Sequence, residues 1–143
     1  MARVTGTISE EPLDVPGAIA EATDETCGAI AVFVGTVRRT PAEASHSDVT
    51  ALEYTAHPRL APAKIEEIAR RAAEKWHLAR VIAVHRIGLC RVSEPTVVIA
   101  CSAPHRAEAL EACHWIIDEI KTGVPIFKRE IYRDGSAWIE GKA

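Results

Sequence analysis

No two cysteines stand in a CxxC spacing, and no histidines fall in an HxxxH or HExxH pattern. That argues against a structural zinc site. No apolar run approaches the roughly 20 residues that a membrane-spanning helix requires. The opening stretch MARVTGTISEEPLDV has no apolar core and no cleavage-like site, so the reading is a soluble, cytoplasmic protein. There is no long basic run and the formal net charge is -3, which disfavours nucleic acid as a partner. A serine elbow, a phosphate-binding glycine loop and acids paired at catalytic spacing are missing too. No internal repeat appears. Cys27, Cys90, Cys101 and Cys113 each lie in an apolar or periodic segment and read as buried free thiols.

What is present is an ordinary globular composition, 48% hydrophobic and 26% charged, in 143 residues. That is enough chain for one domain, 1–143, with its own core. Strands are expected at 3–9, 27–37, 49–55, 79–88 and 95–103, the second as a buried, nearly continuous apolar run. A short helix is expected at 14–23. Residues 38–48 have Pro, Ser and small polar residues without a period and read as a mobile loop. A long helix over 61–76 buries Ile65, Ile68, Ala69, Ala72 and Trp76 on one face. A second, over 105–121, has an apolar stripe of Leu110, Cys113, Ile116, Ile117 and Ile120, ended by Gly123 and Pro125. A strand at 125–132 and a hairpin-like return complete the order β-α-β-β-α-β-β-α-β-β. The class is α+β, with two main helices covering a mostly antiparallel sheet.

Cationic side chains gather at the ends of these elements, where sites are commonly built. Arg38 follows the buried strand, although Arg38 and Arg39 also read as a solvated loop pair. His105 and Arg106 open the second long helix, against the preference of a helix N-terminus for anions. They would pair with its free N–H groups to bind a phosphate, although a His-Arg pair standing alone also reads as having no function. Lys121 lies in that helix's last turn, where a cation is favourable without any function. Lys128 interrupts an apolar strand, sharing a face with Ile126 opposite Phe127. His85 and Arg86 form another such pair, read here as structural. Cations without a nucleophile point to an anionic substrate and to lysine chemistry.

Taken in order, GAIAVFVGTVR (28–38), LEYTAHPRLA (52–61), VIAVHRIG (81–88), SAPHRAEALEA (102–112), DEIKTGVPIFKRE (118–130) and WIEG (138–141) resemble the large, catalytic subunit family of molybdopterin synthase. The resemblance implies an α/β hammerhead fold and a sulfur transferase. Such an enzyme converts a cyclic pyranopterin monophosphate, precursor Z, to molybdopterin in molybdenum cofactor biosynthesis. Its sulfur donor is a small ubiquitin-like subunit carrying a C-terminal Gly-Gly thiocarboxylate. The resemblance implies a homodimer of the large subunit within a heterotetramer, with no metal or cofactor required for transfer. Lys121 and Lys128 match the family's essential lysines. Arg38, His105 and Arg106 match its substrate-binding residues, with Thr36, Val37, Arg129 and Glu130 in the same binding segments. Pro104 and Phe127 depart from the family's usual Ala and Trp, changes that bear on pocket width. The short end after WIEGKA implies a reduced tail for partner contacts, where Lys142 would supply a basic group.

One constraint is independent of the resemblance. His105 and Lys121 lie 16 residues apart on one expected helix, which separates their Cα atoms by about 24 Å. Their joint use on one small substrate requires two protomers. The competing readings are a non-enzymatic phosphate-ligand-binding or assembly module of the same fold and, more remotely, a metal-binding protein.

Overall fold

The computed structural model describes residues 1–139; Lys142 lies outside them. The described elements are β1 (Arg3–Ser9), α1 (Val15–Ala22), β2 (Ala29–Thr36), β3 (Val49–Ala56), α2 (Leu60–Trp76), β4 (Arg80–Arg86), β5 (Gly88–Arg91), β6 (Pro95–Ala103), α3 (Arg106–Gly123), β7 (Ile126–Tyr132) and β8 (Gly135–Ile139). This is the α+β class expected, with two differences. The segment after β4 contains a short strand, β5, in place of a plain connection, and the strands divide into two four-stranded sheets. The first sheet has the order β1-β4-β6-β2, the second β5-β3-β7-β8. Every pairing is antiparallel except β1 with β4.

β6 is buried along its length after Pro95, as a continuous apolar run predicts for a central strand covered on both faces. Its residues divide by pleat. Val97, Ile99, Cys101 and Ala103 join the main core with α2 and α3, while Val98 and Ala100 join a smaller cluster under α1. β4 divides the same way, Val81 and Ala83 to the main core, Ile82 and Val84 toward α1. α2 reaches β1 closely because of Gly6: a Cβ there would stand 2.4 Å from the backbone of Glu66.

α3 presents Ala109, Ala112, Cys113, Ile116, Ile117 and Ile120 to the core. Leu110, expected in that stripe, is 61% exposed. Ala109 takes the buried position one turn before Cys113, and the next residue lies about 100° further round the helix. Three cysteines are buried, Cys27 is half-buried, and all four are free thiols. Among the described residues, no helix is long and apolar enough to cross a membrane.

Candidate active site

Register brings the site together. Across the first sheet, Gly35, Val97 and His85 stand in one row at the same end of β2, β6 and β4. In the second sheet, Tyr54 pairs with Lys128 and Leu52 with Glu130, which puts all four on one face. Where that face meets the row, and α3 ends with Ile117, Ile120 and Lys121, the chain encloses a pocket of about 340 Å³. Arg38, Lys121, Lys128, Tyr54, His85 and Glu130 line it.

Lys128 is half-buried. Burial, reinforced by the charges of Lys121 and Arg38 and opposed by Glu130, pulls its ammonium below the usual lysine range. Lys121 extends from the last turn of α3 and is exposed. Arg38 follows the β-bulge between Gly35 and Thr36. Its predecessor Val37 is buried, its N–H donating to the Glu94 carbonyl (3.1 Å) and its own carbonyl accepting from Ser93 N–H (2.8 Å). Val37 thus pins the strand exit from which Arg38 and Thr36 reach the pocket, and does not itself line it.

Glu130 is 5% exposed and fully engaged. Its two carboxylate oxygens accept the Ala42 N–H at 3.2 and 3.1 Å, and one accepts the Tyr132 hydroxyl at 2.7 Å. The residue therefore fastens the 38–48 loop, which begins with Arg38, onto β7. The loop is also tied by Val49 N–H to the Arg39 carbonyl (2.8 Å) and by His46 stacking on Tyr132 at 4.3 Å. Burial and the bond to Glu130 push the Tyr132 phenol up to about 12.

The remaining expected residues lie elsewhere. Arg129 alternates to the opposite face of β7, where it pairs with Glu53 and sits over the Trp138 ring at 5.7 Å. His105 caps the far end of α3 in an extended conformation without a side-chain capping bond; it and Arg106 are exposed. The unbroken helix from Arg106 to Gly123 keeps this pair about 24 Å from Lys121.

His85 and Tyr54 enter the pocket without having been singled out for it. Tyr54 is buried, which raises its phenol to about 12. Its ring meets that of His85 edge-on at 4.9 Å. His85 is 3% exposed and held neutral, its pKa lowered to about 4 by burial and then by the charges of Lys121 and Lys128. The overlooked signal was periodicity: Val81, Ala83 and His85 alternate onto the core face of β4, an odd place for a polar ring. Arg86 is the structural half of the pair, bonded to the carbonyls of Glu10 and Leu89 and to the Glu94 carboxylate.

Among the described residues, no group of three or more His, Cys, Asp or Glu is placed to hold a metal ion. The pocket is instead a neutral floor under a desolvated lysine, a second lysine and an arginine. It suits an anionic ligand and a lysine able to exchange a proton.

Comparison with known proteins places the chain in a family. The sequence model of the MoaE protein family matches residues 8–123. The molybdopterin synthase catalytic subunit of Halalkalibacterium halodurans is 39% identical over 133 residues, covering 92% of this chain and 83% of that protein. The corresponding subunit of Taeniopygia guttata is 42% identical over 117 residues, covering 81% and 74%. The crystal structure of molybdopterin synthase from Staphylococcus aureus superposes with a TM-score of 0.85 at 36% identity, covering 94% of this chain and 96% of that one. By the extent of these matches, the chain belongs to the MoaE protein family.

Proposed function

We propose that this chain is the catalytic subunit of a molybdopterin synthase. It transfers sulfur to a cyclic pyranopterin monophosphate, precursor Z, from the C-terminal thiocarboxylate of a small ubiquitin-like partner. The observation that carries this reading is the convergence of Arg38, Lys121 and Lys128, from three separate parts of the fold, on one pocket. Family membership supplies the reaction, and the catalytic subunits that share it are named for that activity. The depressed pKa of Lys128 favours an enzyme over a pure anion-binding module. A binder gains from a permanent cation, whereas a proton-exchanging lysine gains from burial.

Arg38 contributes a planar fork suited to phosphate oxygens. Lys128 exchanges a proton with the reacting centre as the thiocarboxylate sulfur attacks the pterin side chain. Lys121 stabilises the negative charge that develops there. His105 and Arg106 belong to the same reaction only if a second copy delivers them, because one helix separates them from Lys121. The active unit is accordingly a homodimer whose sites take the lysines from one protomer and the His-Arg pair from the other. Thr36 borders the phosphate side of the pocket. Val37, Arg129 and Glu130 act through the placement of Arg38 and Lys128.

The test is complementation. Lys121→Ala and His105→Ala chains, each inactive alone, are mixed and supplied with precursor Z and the thiocarboxylated partner, and product is read as an oxidised fluorescent pterin. Mixed dimers are expected to regain partial activity through the hybrid site that keeps both groups. Confirmed heterodimers without activity refute the shared site. Wild-type chain that makes no product with both substrates present refutes the synthase reading itself.

A further inference from the structure

The floor of the pocket carries a group that the reaction scheme above leaves unused. The Nδ1 of His85 lies 2.7 Å from the backbone carbonyl of Arg86. A carbonyl only accepts, so Nδ1 holds the proton, and in the neutral ring Nε2 is a bare lone pair. Among the described residues no hydrogen bond reaches Nε2, yet it is not one of the buried polar atoms sealed without a partner. His85 is one of the residues that line the pocket.

The groups around it are mostly donors. Lys121 approaches from α3, Lys128 from β7, and Arg38 from the end of β2. Arg86, next along β4, turns to Glu94. The one carboxylate of the lining, Glu130, is occupied by Ala42 and Tyr132. Tyr54 links His85 to one lysine in particular. It is the direct cross-strand partner of Lys128 and stands with its ring against the imidazole.

We propose that His85 is a positioning residue for Lys128: a rotation of the lysine side chain, which is not bonded to the ring in this structure, lets Nε2 accept one N–H of the lysine and so aims the others, or the amine lone pair, at the substrate. An acceptor that is also a poor base suits the task. The imidazole takes no proton from the ammonium, since burial and the two lysine charges hold it neutral. The lysine stays oriented in both protonation states, because ammonium and amine alike keep N–H bonds to donate. The proton that moves is then the one facing the reacting centre. The inference rests on the synthase reading for its kinetics, but not for its structural part.

Three variants separate the atoms involved. His85→Gln places an amide oxygen near the Nε2 position. His85→Asn places its amide near Nδ1, keeping the bond to Arg86 but offering no acceptor to the pocket. His85→Phe keeps the ring against Tyr54 and removes both nitrogens. The expected result is kcat reduced by about 10- to 100-fold in the Phe and Asn chains, the loss of one hydrogen bond to a charged group. KM should change little, and His85→Gln should recover most of the rate. Titration of the Lys128 Nζ by nitrogen-detected NMR should show a lower pKa in the Phe and Asn chains than in wild type. On wild-type protein, a long-range proton–nitrogen spectrum should show His85 as the Nδ1–H tautomer through the neutral range, a readout that requires neither activity nor a folded variant. An Nε2–H tautomer overturns the proposal, as does a Lys128 titration indifferent to all three substitutions. If wild type proves inactive with precursor Z while these spectra hold, the functional reading fails and this inference stands.

Discussion

Replacing Glu130 tests how Arg38 is held in place. The carboxylate is buried and receives the Tyr132 hydroxyl at 2.7 Å and the Ala42 N–H at 3.2 and 3.1 Å. Hydrogen bonds to a charged acceptor contribute about 1.5–3 kcal/mol each. In Glu130→Ala the Tyr132 hydroxyl, on a buried ring, is left without its acceptor, while the N–H of exposed Ala42 turns to water. The net cost is about 3 kcal/mol, which for a chain of this size lowers Tm by about 10 °C. Glu130→Gln keeps one acceptor but turns an NH2 group toward the donors, and should cost about 1–2 kcal/mol. The loop at 38–48 loses one tie and keeps others, so hydrogen exchange there should quicken while α3 and β6 stay protected. KM for precursor Z should rise through the misplaced Arg38. Thermal unfolding, exchange mass spectrometry and steady-state kinetics on the same preparations decide the matter. A Tm within about 2 °C of wild type for Glu130→Ala, together with unchanged exchange at 38–48, would show that the carboxylate does not latch the loop.

Two further outcomes follow from the packing. His85 has a folded pKa of about 4 against 6.5 in the unfolded chain, so between those values the unfolded state binds more protons. Stability should fall as pH drops from 6.5 towards 4 and level off below, a loss of about 3 kcal/mol; denaturant titrations of His85→Phe should lack this component, and an identical pH dependence would exclude the buried neutral histidine. Gly6→Ala would place a methyl 2.4 Å from the backbone of Glu66 and push α2 off β1. A destabilisation of about 1–3 kcal/mol is expected from overpacking, measured by denaturant unfolding, and an unchanged midpoint would contradict the close approach.

Much of the fold was legible because its signals are local. The stripe Ile65, Ile68, Ala69 and Ala72 identifies α2 by its spacing, and these residues are buried. The run PTVVIACSA announces β6 as central, and alternation through Ile126, Phe127 and Lys128 places the lysine on the inner face. β5 was missed because four residues, GLCR, are too short to show a period. Leu110 was misassigned because hydrophobicity does not report which residue of a helix lies on the core-facing line; Ala109 took that place.

The candidate site divides in the same way. From the sequence came the helices and strands, the cations at their ends, and the family to which Lys121, Lys128 and Arg38 belong; each depends on residue type and near-neighbour spacing, which a chain carries before it folds. Only tertiary structure settled which of these side chains meet. The pairings of Tyr54 with Lys128 and of Leu52 with Glu130 join segments more than 70 residues apart, and that of His85 with Val97 joins two strands across an intervening one. Their register follows from bringing the core-facing residues of neighbouring strands onto the same face, a condition that no single segment encodes. For that reason His85, read in one dimension as half of a structural His-Arg pair, lies beneath the lysines, while Arg129, adjacent in sequence to Lys128, faces away.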